Sequence, residues 1–157
     1  MCQPGEYCVT GSGKAKVCEP GRFCKDFAQG VQAGRCEAGY YCPAGAVKAN
    51  AFPCPAGYFC GEGAIAPTPC GVGTYSESIG ASDSSTCVPC PPGFACLQEG
   101  LVSPYTTSDP AMAGRCPAGF YCDPGSATND EADASSLPTS KLHPCEPGYQ
   151  CPAGALT

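Results

Sequence analysis

One short motif, a cysteine followed three residues later by a glycine, occurs eight times in this 157-residue chain. In seven of the eight copies a second cysteine follows after five intervening residues, as in CEAGYYC, CPAGYFC and CPAGFYC. A repeat of this size is too small to bury a hydrophobic core of its own, so each copy depends on cross-links and on its neighbours. We therefore expect a string of small modules and no single dominant site.

Cysteine usage points to disulfide bonds and to an oxidising compartment. The chain has 16 cysteines, an even number at regular spacing. That pattern is typical of secreted, cell-surface or lumenal proteins. Leu, Ile, Val and Phe together number only 20, too few for an ordinary globular core. Gly and Pro number 21 and 18, which favours turns over long helices.

Each module begins with a predicted chain reversal. In Cys54–Cys60, Ala56 and Gly57 suit the central positions of a type II turn, where glycine supplies the positive φ. The chain then returns toward the first cysteine, which makes a bond within the module geometrically reasonable. Bonds between neighbouring modules, such as Cys8 to Cys18, are the alternative. The predicted pairs are Cys2–Cys8, Cys18–Cys24, Cys36–Cys42, Cys54–Cys60, Cys70–Cys87, Cys90–Cys96, Cys116–Cys122 and Cys145–Cys151.

The predicted fold is that of a small disulfide-rich repeat protein, an elongated ladder of cystine-stapled turns and short β-hairpins with little helix. Two near copies, AGRCEAGYYCPAG (33–45) and AGRCPAGFYCDPG (113–125), indicate a larger period above the short one. We expect two blocks of four modules each, residues 1–68 and 69–157. Residues 98–112 and 126–142 are then loop insertions, since both are rich in Ser, Thr, Pro and Asp.

The fifth motif is longer than the others and carries the most specific family resemblance. It runs from Cys70-Gly-Val-Gly-Thr-Tyr through a Ser-rich loop to Cys87-Val-Pro-Cys90-Pro-Pro-Gly. This stretch, residues 70–94, resembles the ephrin-receptor-like cysteine-rich repeat, a relative of growth-factor-receptor modules. The Cys-x-x-Gly-aromatic turn also resembles the last loop of EGF-like domains. Tandem runs such as CEAGYYCPAG resemble large surface and flagellar-hair (mastigoneme-like) proteins of algae and other protists.

The charge balance disfavours several partners. The net charge is −6, with only eight Lys or Arg, so nucleic acid and anionic membrane surfaces are poor candidate partners. No apolar run approaches the ~20 residues that span a bilayer, and we expect no membrane insertion in this segment. Met1 is followed at once by the first cysteine. We therefore expect a segment of a longer exported chain.

Metal and catalytic sites are weak hypotheses. The chain has one CxxC pair, Cys87 and Cys90, and one histidine, His143, which do not form the paired knuckles of a structural zinc site. The acidic run 129–133 lacks the spacing of a calcium loop, so we expect it to be a solvated loop. His143 has no nucleophile that is expected to be free. We expect no enzyme activity and no cofactor.

The two loop insertions, residues 98–112 and 126–142, are candidate sites for O-linked sugar. The chain contains no Asn-x-Ser/Thr sequon, whereas Ser and Thr cluster near Pro in the insertions. Another cluster lies in the loop at Ser82, Ser84, Ser85 and Thr86. The candidate acceptors in the insertions are Thr106, Thr107, Ser108, Ser135, Ser136, Thr139 and Ser140.

Two functions compete on this basis. The first is a structural segment of an extracellular filament, stalk or surface coat. Its partners would be further copies of itself or neighbouring repeats of a longer chain, and its insertions would carry O-linked glycans. The second is a ligand-binding module of a receptor or a surface antigen. Ligand-binding faces usually carry aromatic and Arg anchors. Here the aromatics lie mostly inside the modules, and Arg22, Arg35 and Arg115 are the only arginines, which favours the structural function.

Overall fold

Short hairpins make up almost all of the regular structure. The computed structural model describes residues 3–9, 11, 13–25, 34–105, 113–116, 118–126, 142–147 and 150–153. Within these ranges there is one 3-10 turn, Ser84–Thr86, and fourteen strands of two or three residues. The strands are β1 (Glu6–Cys8), β2 (Ala15–Val17), β3 (Arg22–Phe23), β4 (Gly34–Arg35), β5 (Tyr40–Tyr41), β6 (Phe52–Pro53), β7 (Tyr58–Phe59), β8 (Thr68–Pro69), β9 (Thr74–Tyr75), β10 (Val88–Pro89), β11 (Phe94–Cys96), β12 (Ala113–Arg115), β13 (Phe120–Cys122) and β14 (Leu142–Pro144).

Consecutive strands pair into seven two-stranded sheets. The first strand of each pair follows the glycine of a module, and the second precedes the first cysteine of the next module. In β5–β6, for example, Tyr40 lies opposite Pro53 in an antiparallel register. The prediction of a small disulfide-rich protein of turns and short hairpins with little helix is thus confirmed for the described residues. The elongated shape stays a prediction.

The disulfides join the two cysteines of one module. Their Cα atoms lie 5.5–6.4 Å apart, the normal range for a cystine. The observed pairs are the same seven that the module spacing predicts: Cys18–Cys24, Cys36–Cys42, Cys54–Cys60, Cys70–Cys87, Cys90–Cys96, Cys116–Cys122 and Cys145–Cys151. Cys8 is also disulfide-bonded. Cys2 lies outside the described residues, so the Cys2–Cys8 pair stays a prediction.

Consecutive modules are joined by backbone hydrogen bonds that recur along the chain. The N–H of Gly21 donates to the carbonyl of Cys42 at 2.8 Å, and the N–H of Cys24 donates to the carbonyl of Ala46 at 2.9 Å. The modules that begin at Cys18, Cys36, Cys70 and Cys90 each donate two bonds to the next module, whereas the module at Cys54 donates one among the described residues, from Cys60 to Ala81. Equivalent bonds run from Gly39 to Cys60, Cys42 to Ala64, Cys60 to Ala81, Gly73 to Cys96, Ser76 to Leu101, Gly93 to Cys122 and Cys96 to Ser126.

A second turn in each repeat returns one bond to the preceding module. After the closing Cys42 the chain turns at Gly45, whose N–H donates to the carbonyl of Cys18 at 2.9 Å. The same bond runs from Gly63 to Cys36, Gly80 to Cys54, Gly100 to Cys70 and Gly125 to Cys90. These bonds, one or two forward and one back at each contact, are here called the module ladder. They satisfy backbone groups that the cystines would otherwise bury without partners.

The cystines form the core of the fold. Eleven cysteines are fully buried, whereas exposed side chains include Ile65 and Ile79. Half-buried aromatic rings cover the cystines: Phe23 packs against the Cys36–Cys42 group, and Phe94 against the Cys90–Cys96 group. Sulfur and aromatic carbon thus replace the aliphatic core that the composition cannot supply.

Numbered in chain order from the module that begins at Cys2, module 5 is the one that begins at Cys70. It keeps the turn geometry of the other modules but closes its disulfide differently. Ser76 stands six residues after Cys70, where the other modules have their closing cysteine. Its side chain is buried, and its N–H donates to the carbonyl of Leu101 at 3.0 Å, as a closing cysteine does elsewhere. Cys87 supplies the second sulfur instead, from just before β10 pairs with β9.

The chain divides into two compact units, and the division passes through module 5. Unit 1 consists of Met1–Thr68 and Ser78–Thr86, and unit 2 of Pro69–Glu77 and Cys87–Thr157. Every bond of the module ladder given above lies within one unit. The two predicted sequence blocks, 1–68 and 69–157, describe the repeat in the sequence and stay a prediction.

Replacing Gly39 with Ala tests the close packing of the ladder. Gly39 has φ +88° and Gly119 has φ +90°, so an L-residue costs about 1–2 kcal/mol at either position. At Gly39 a Cβ would also lie 2.5 Å from the carbonyl oxygen of Gly80, whereas at Gly119 no atom of the described residues lies within 4 Å. We expect Gly39→Ala to lower the free energy of unfolding by roughly 1–3 kcal/mol more than Gly119→Ala, in oxidised protein unfolded by denaturant. Equal losses would contradict the close approach.

Moving the closing cysteine of module 5 tests the equivalence of Ser76 with the other closing positions. Cys87→Ser leaves the buried Cys70 unpaired and should cost about 3 kcal/mol, the value for a loop of this size. Adding Ser76→Cys should recover most of the loss, because the new thiol takes the position of a closing cysteine. Peptide mapping should then find a bond between positions 70 and 76. A double variant with two free thiols would show that the positions are not equivalent.

Candidate functional site

The predicted glycan acceptors are not placed by the structure. The candidate serines and threonines of the two insertions (Thr106, Thr107, Ser108, Ser135, Ser136, Thr139, Ser140) lie outside the described residues, as does the acidic run 129–133. The O-glycosylation sites therefore stay a prediction.

The Ser/Thr loop at 82–86 is described, and its polar groups converge on one carboxylate. The N–H of Ser85 donates to Asp83 Oδ1 at 2.8 Å, and the hydroxyl of Ser82 donates to Oδ2 at 3.0 Å. The hydroxyl of Thr86 donates to the Asp83 carbonyl at 2.9 Å. Hydrogen bonds from the side chain and backbone of Ser85, and then from Ser82, hold the pKa of Asp83 below its usual value. Asp83 therefore caps the 3-10 turn that leads to Cys87.

The two cysteines of the CxxC pair belong to separate cystines. Cys87 is bonded to Cys70, and Cys90 to Cys96. Among the described residues no cluster of three or more His, Cys, Asp or Glu side chains is arranged to hold a metal ion. The described cysteines are all oxidised, so none of them is a thiolate nucleophile.

His143 lies in a small polar cluster at the base of the second insertion. Its Nε2 is 3.0 Å from Asp123 Oδ2, and its ring stacks on Tyr121 with the centroids 5.0 Å apart. Tyr121 lies directly opposite His143 in the β13–β14 hairpin. The cluster links β13 to β14, the two strands that precede and follow residues 127–141 in the chain. Sequence reasoning missed Asp123 because it is 20 residues away in the chain.

The module ladder is a recurring contact between modules, and sequence reasoning identified only half of it. The turn glycines of the Cys-x-x-Gly motif were recognised, but the second-turn glycines were not. Their signal is a glycine three or four residues after the closing position, three at Gly45, Gly63 and Gly125, and four at Gly80 (after Ser76) and Gly100. The ladder involves only backbone groups, so a module can bond a neighbour of different side-chain sequence.

Two shallow grooves lie on unit 1. The first, with a volume of about 220 Å³, has Arg22, Arg35 and Glu62 along its sides. The second, of about 350 Å³, is lined by Phe23, Lys48 and other residues of modules 2 and 3. Arg22 and Arg35 face each other across the β3–β4 hairpin. The first groove is thus lined by two arginines that are cross-strand partners.

Comparison with protein-family models finds no match, and no curated protein sequence matches the chain. The fold defines the class of the protein as a small disulfide-rich protein of repeated turns and hairpins. Its many cystines indicate an oxidising, extracellular or secreted setting. No helix in the described ranges is long and apolar enough to cross a bilayer.

The lowered pKa of Asp83 predicts an acid-dependent loss of stability. A carboxylate whose pKa is lower in the folded state stabilises the fold above its unfolded pKa, ordinarily 3.8, and this contribution is lost as the pH falls through the folded pKa. At neutral pH, Asp83→Ala should lower the thermal midpoint, and Asp83→Asn, which keeps one acceptor oxygen, should lower it less. The midpoint of the wild type should approach that of Asp83→Asn as the pH falls toward about 2. Calorimetry across this range measures the difference, and a gap independent of pH would contradict the assignment.

Proposed function

We propose that this chain is a structural segment of an extracellular filament, stalk or surface coat that acts by modular assembly. The observation that carries the proposal is the module ladder, in which backbone bonds of the same kind recur from one module to the next. A contact that is repeated in this way along one chain can also be formed between modules of different chains.

The geometry of the ladder favours open-ended growth. Each module uses its first-turn glycine and closing cysteine as donors toward the following module, as Gly21 and Cys24 do toward module 3. It uses its second turn toward the preceding module, as Gly45 does toward Cys18. The two sides of a module are therefore different, and the contact is heterologous. Heterologous contacts that do not close on themselves produce fibres, whereas isologous contacts produce closed dimers.

The chemistry of the surface is consistent with an exported structural protein. The net charge of −6 keeps the modules soluble, and the Ser/Thr-rich insertions suit O-linked sugar, which would make the chain a glycoprotein. The resemblance of its tandem repeats to protist surface and flagellar-hair proteins adds to this support. We accordingly propose an extracellular location, either secreted or at the cell surface, with the flagellar surface as one such place. The proposed role is not enzymatic.

A ligand-binding module of a receptor or surface antigen is the second candidate. The observation in its favour is the groove of about 350 Å³, whose lining includes Phe23, Lys48 and Glu37. An apolar surface flanked by both charge signs suits a peptide or a glycan. The groove is shallow and belongs to one unit only, so we rank this function second.

Sedimentation velocity and negative-stain electron microscopy of the oxidised protein test the leading proposal. We expect the mass to increase with concentration without a fixed endpoint, and images to show rows or filaments. The control is the same protein after unfolding and reduction of the cystines, which should not assemble into ordered rows. A mass equal to one chain at every concentration would contradict the proposal. Specific binding of a soluble ligand by that monomer would favour the receptor module.

A further inference from the structure

The pair Arg22 and Arg35 is unusual among the hairpins of this protein. The two residues are cross-strand partners in β3–β4, and no other described hairpin pairs two residues of like charge. Like charges directly opposite in a hairpin are destabilising. The repeat does not require this pair, since the same position holds Tyr40 opposite Pro53 one module later.

The groove beside this pair has an excess of positive charge. Its lining consists of Arg22, Arg35 and Glu62 together with Pro20, Gly21 and Gly63. Within the described residues neither arginine is within ion-pair distance of a carboxylate, Glu62 included. Two arginines therefore line the groove against one glutamate. Arg35 is exposed and Arg22 is half-buried, so both can be reached from solvent.

A carboxylate is the ligand that this geometry fits. The guanidinium group presents a planar fork of N–H donors that matches the two oxygens of a carboxylate. Cross-strand partners have Cβ atoms about 4.5–5.5 Å apart, so both forks can reach one carboxylate or two adjacent ones. Such a ligand would also remove the repulsion within the pair.

The charges of the chain are divided between its two halves. Residues 1–68 contain six Lys or Arg and five Asp or Glu, a net charge of +1. Residues 69–157 contain two Lys or Arg and nine Asp or Glu, a net charge of −7. Three of those carboxylates lie within four residues, at Asp130, Glu131 and Asp133. The sequence therefore supplies both a cationic groove and a concentrated acidic segment.

We propose that the groove between Arg22 and Arg35 binds the acidic segment 130–133 of a second copy of the chain. The inference rests on the proposed assembly function and names the side chains that would direct it. A groove in the first half that binds a segment from the second half of another copy is a heterologous contact, so it repeats from copy to copy. An anionic polysaccharide offers the same carboxylate chemistry, but the division of charge within this one chain favours a second copy.

Arg35→Gln and Arg115→Gln form a matched pair for the test. Both arginines lie in the sequence Ala-Gly-Arg-Cys just before the first cysteine of a module. Arg115 pairs with Phe94 and not with another arginine. We expect Arg35→Gln to weaken self-association roughly tenfold or more, the range for a hydrogen bond to a charged group, and Arg115→Gln to leave it nearly unchanged. Arg35→Gln should leave the thermal midpoint equal or slightly higher, because it removes the repulsion with Arg22.

A mixing experiment tests the partner segment. The second variant is Asp130→Asn/Glu131→Gln/Asp133→Asn, which keeps the arginine groove and neutralises the segment. Each variant alone should remain largely monomeric by sedimentation velocity. In a mixture of the two variants one contact can still form, because the triple variant has an intact groove and Arg35→Gln has an intact acidic segment. We therefore expect one-to-one dimers and no larger species, with dimers that dissociate as salt is raised.

The outcomes separate this inference from the proposed function. Assembly of wild type that both variants retain would overturn the inference and leave the proposed function in place. A wild type that never associates would overturn both. Binding of polygalacturonate or a sulfated polysaccharide that requires Arg35, without self-association, would assign the groove to an anionic glycan and overturn the partner proposed here. Mixed variants that stay monomeric would overturn segment 130–133 as the partner.

Discussion

Backbone hydrogen bonding between consecutive modules is the interaction on which the rest of this structure depends. A disulfide closes each module, but a ring of seven residues cannot order its neighbours. The N–H groups of Gly21 and Cys24 and the carbonyl of Cys18 extend the order to the next module, and the same groups do so along each unit. Cystines are then buried between bonded modules, where a small aromatic layer covers them. A chain with little aliphatic material is stabilised in this way by cross-links and by satisfied backbone groups.

This arrangement separates what the fold requires from what the surface can vary. The ladder needs cysteines at a fixed spacing and glycines at the turns, since a Cβ on Gly39 would overlap the backbone of Gly80. It places little demand on the residues of the hairpins, which include Tyr40 opposite Pro53 and Arg22 opposite Arg35. Variation at those positions can therefore carry recognition without breaking the module ladder, even where a pair such as Arg22 and Arg35 costs some stability. The arginine groove is such a variation, and it lies in the half of the chain whose charge opposes that of the other half.

The module boundaries, the seven observed disulfide pairs and the near absence of helix could all be read from the cysteine and glycine spacing. The spacing works as a signal because a Cys-x-x-Gly turn reverses the chain over a distance that one cystine spans. Three features could not be read in this way. Ser76 is an ordinary serine until its position is compared with a closing cysteine in space. Asp123 meets His143 only because β13 and β14 pair across the second insertion. Arg22 and Arg35 are 13 residues apart, and the register of β3–β4 makes them neighbours.

The sequence by itself determined a disulfide-rich repeat, its compartment and the turn that begins each module, because these follow from residue type and short-range spacing. Only the tertiary structure decided how one module bonds the next, which serine replaces a cysteine, and which charged side chains share a groove. The physical reason is that those features depend on hydrogen bonds and strand registers between residues far apart in the chain. Local geometry limits such pairings, and the packing of whole modules selects among them.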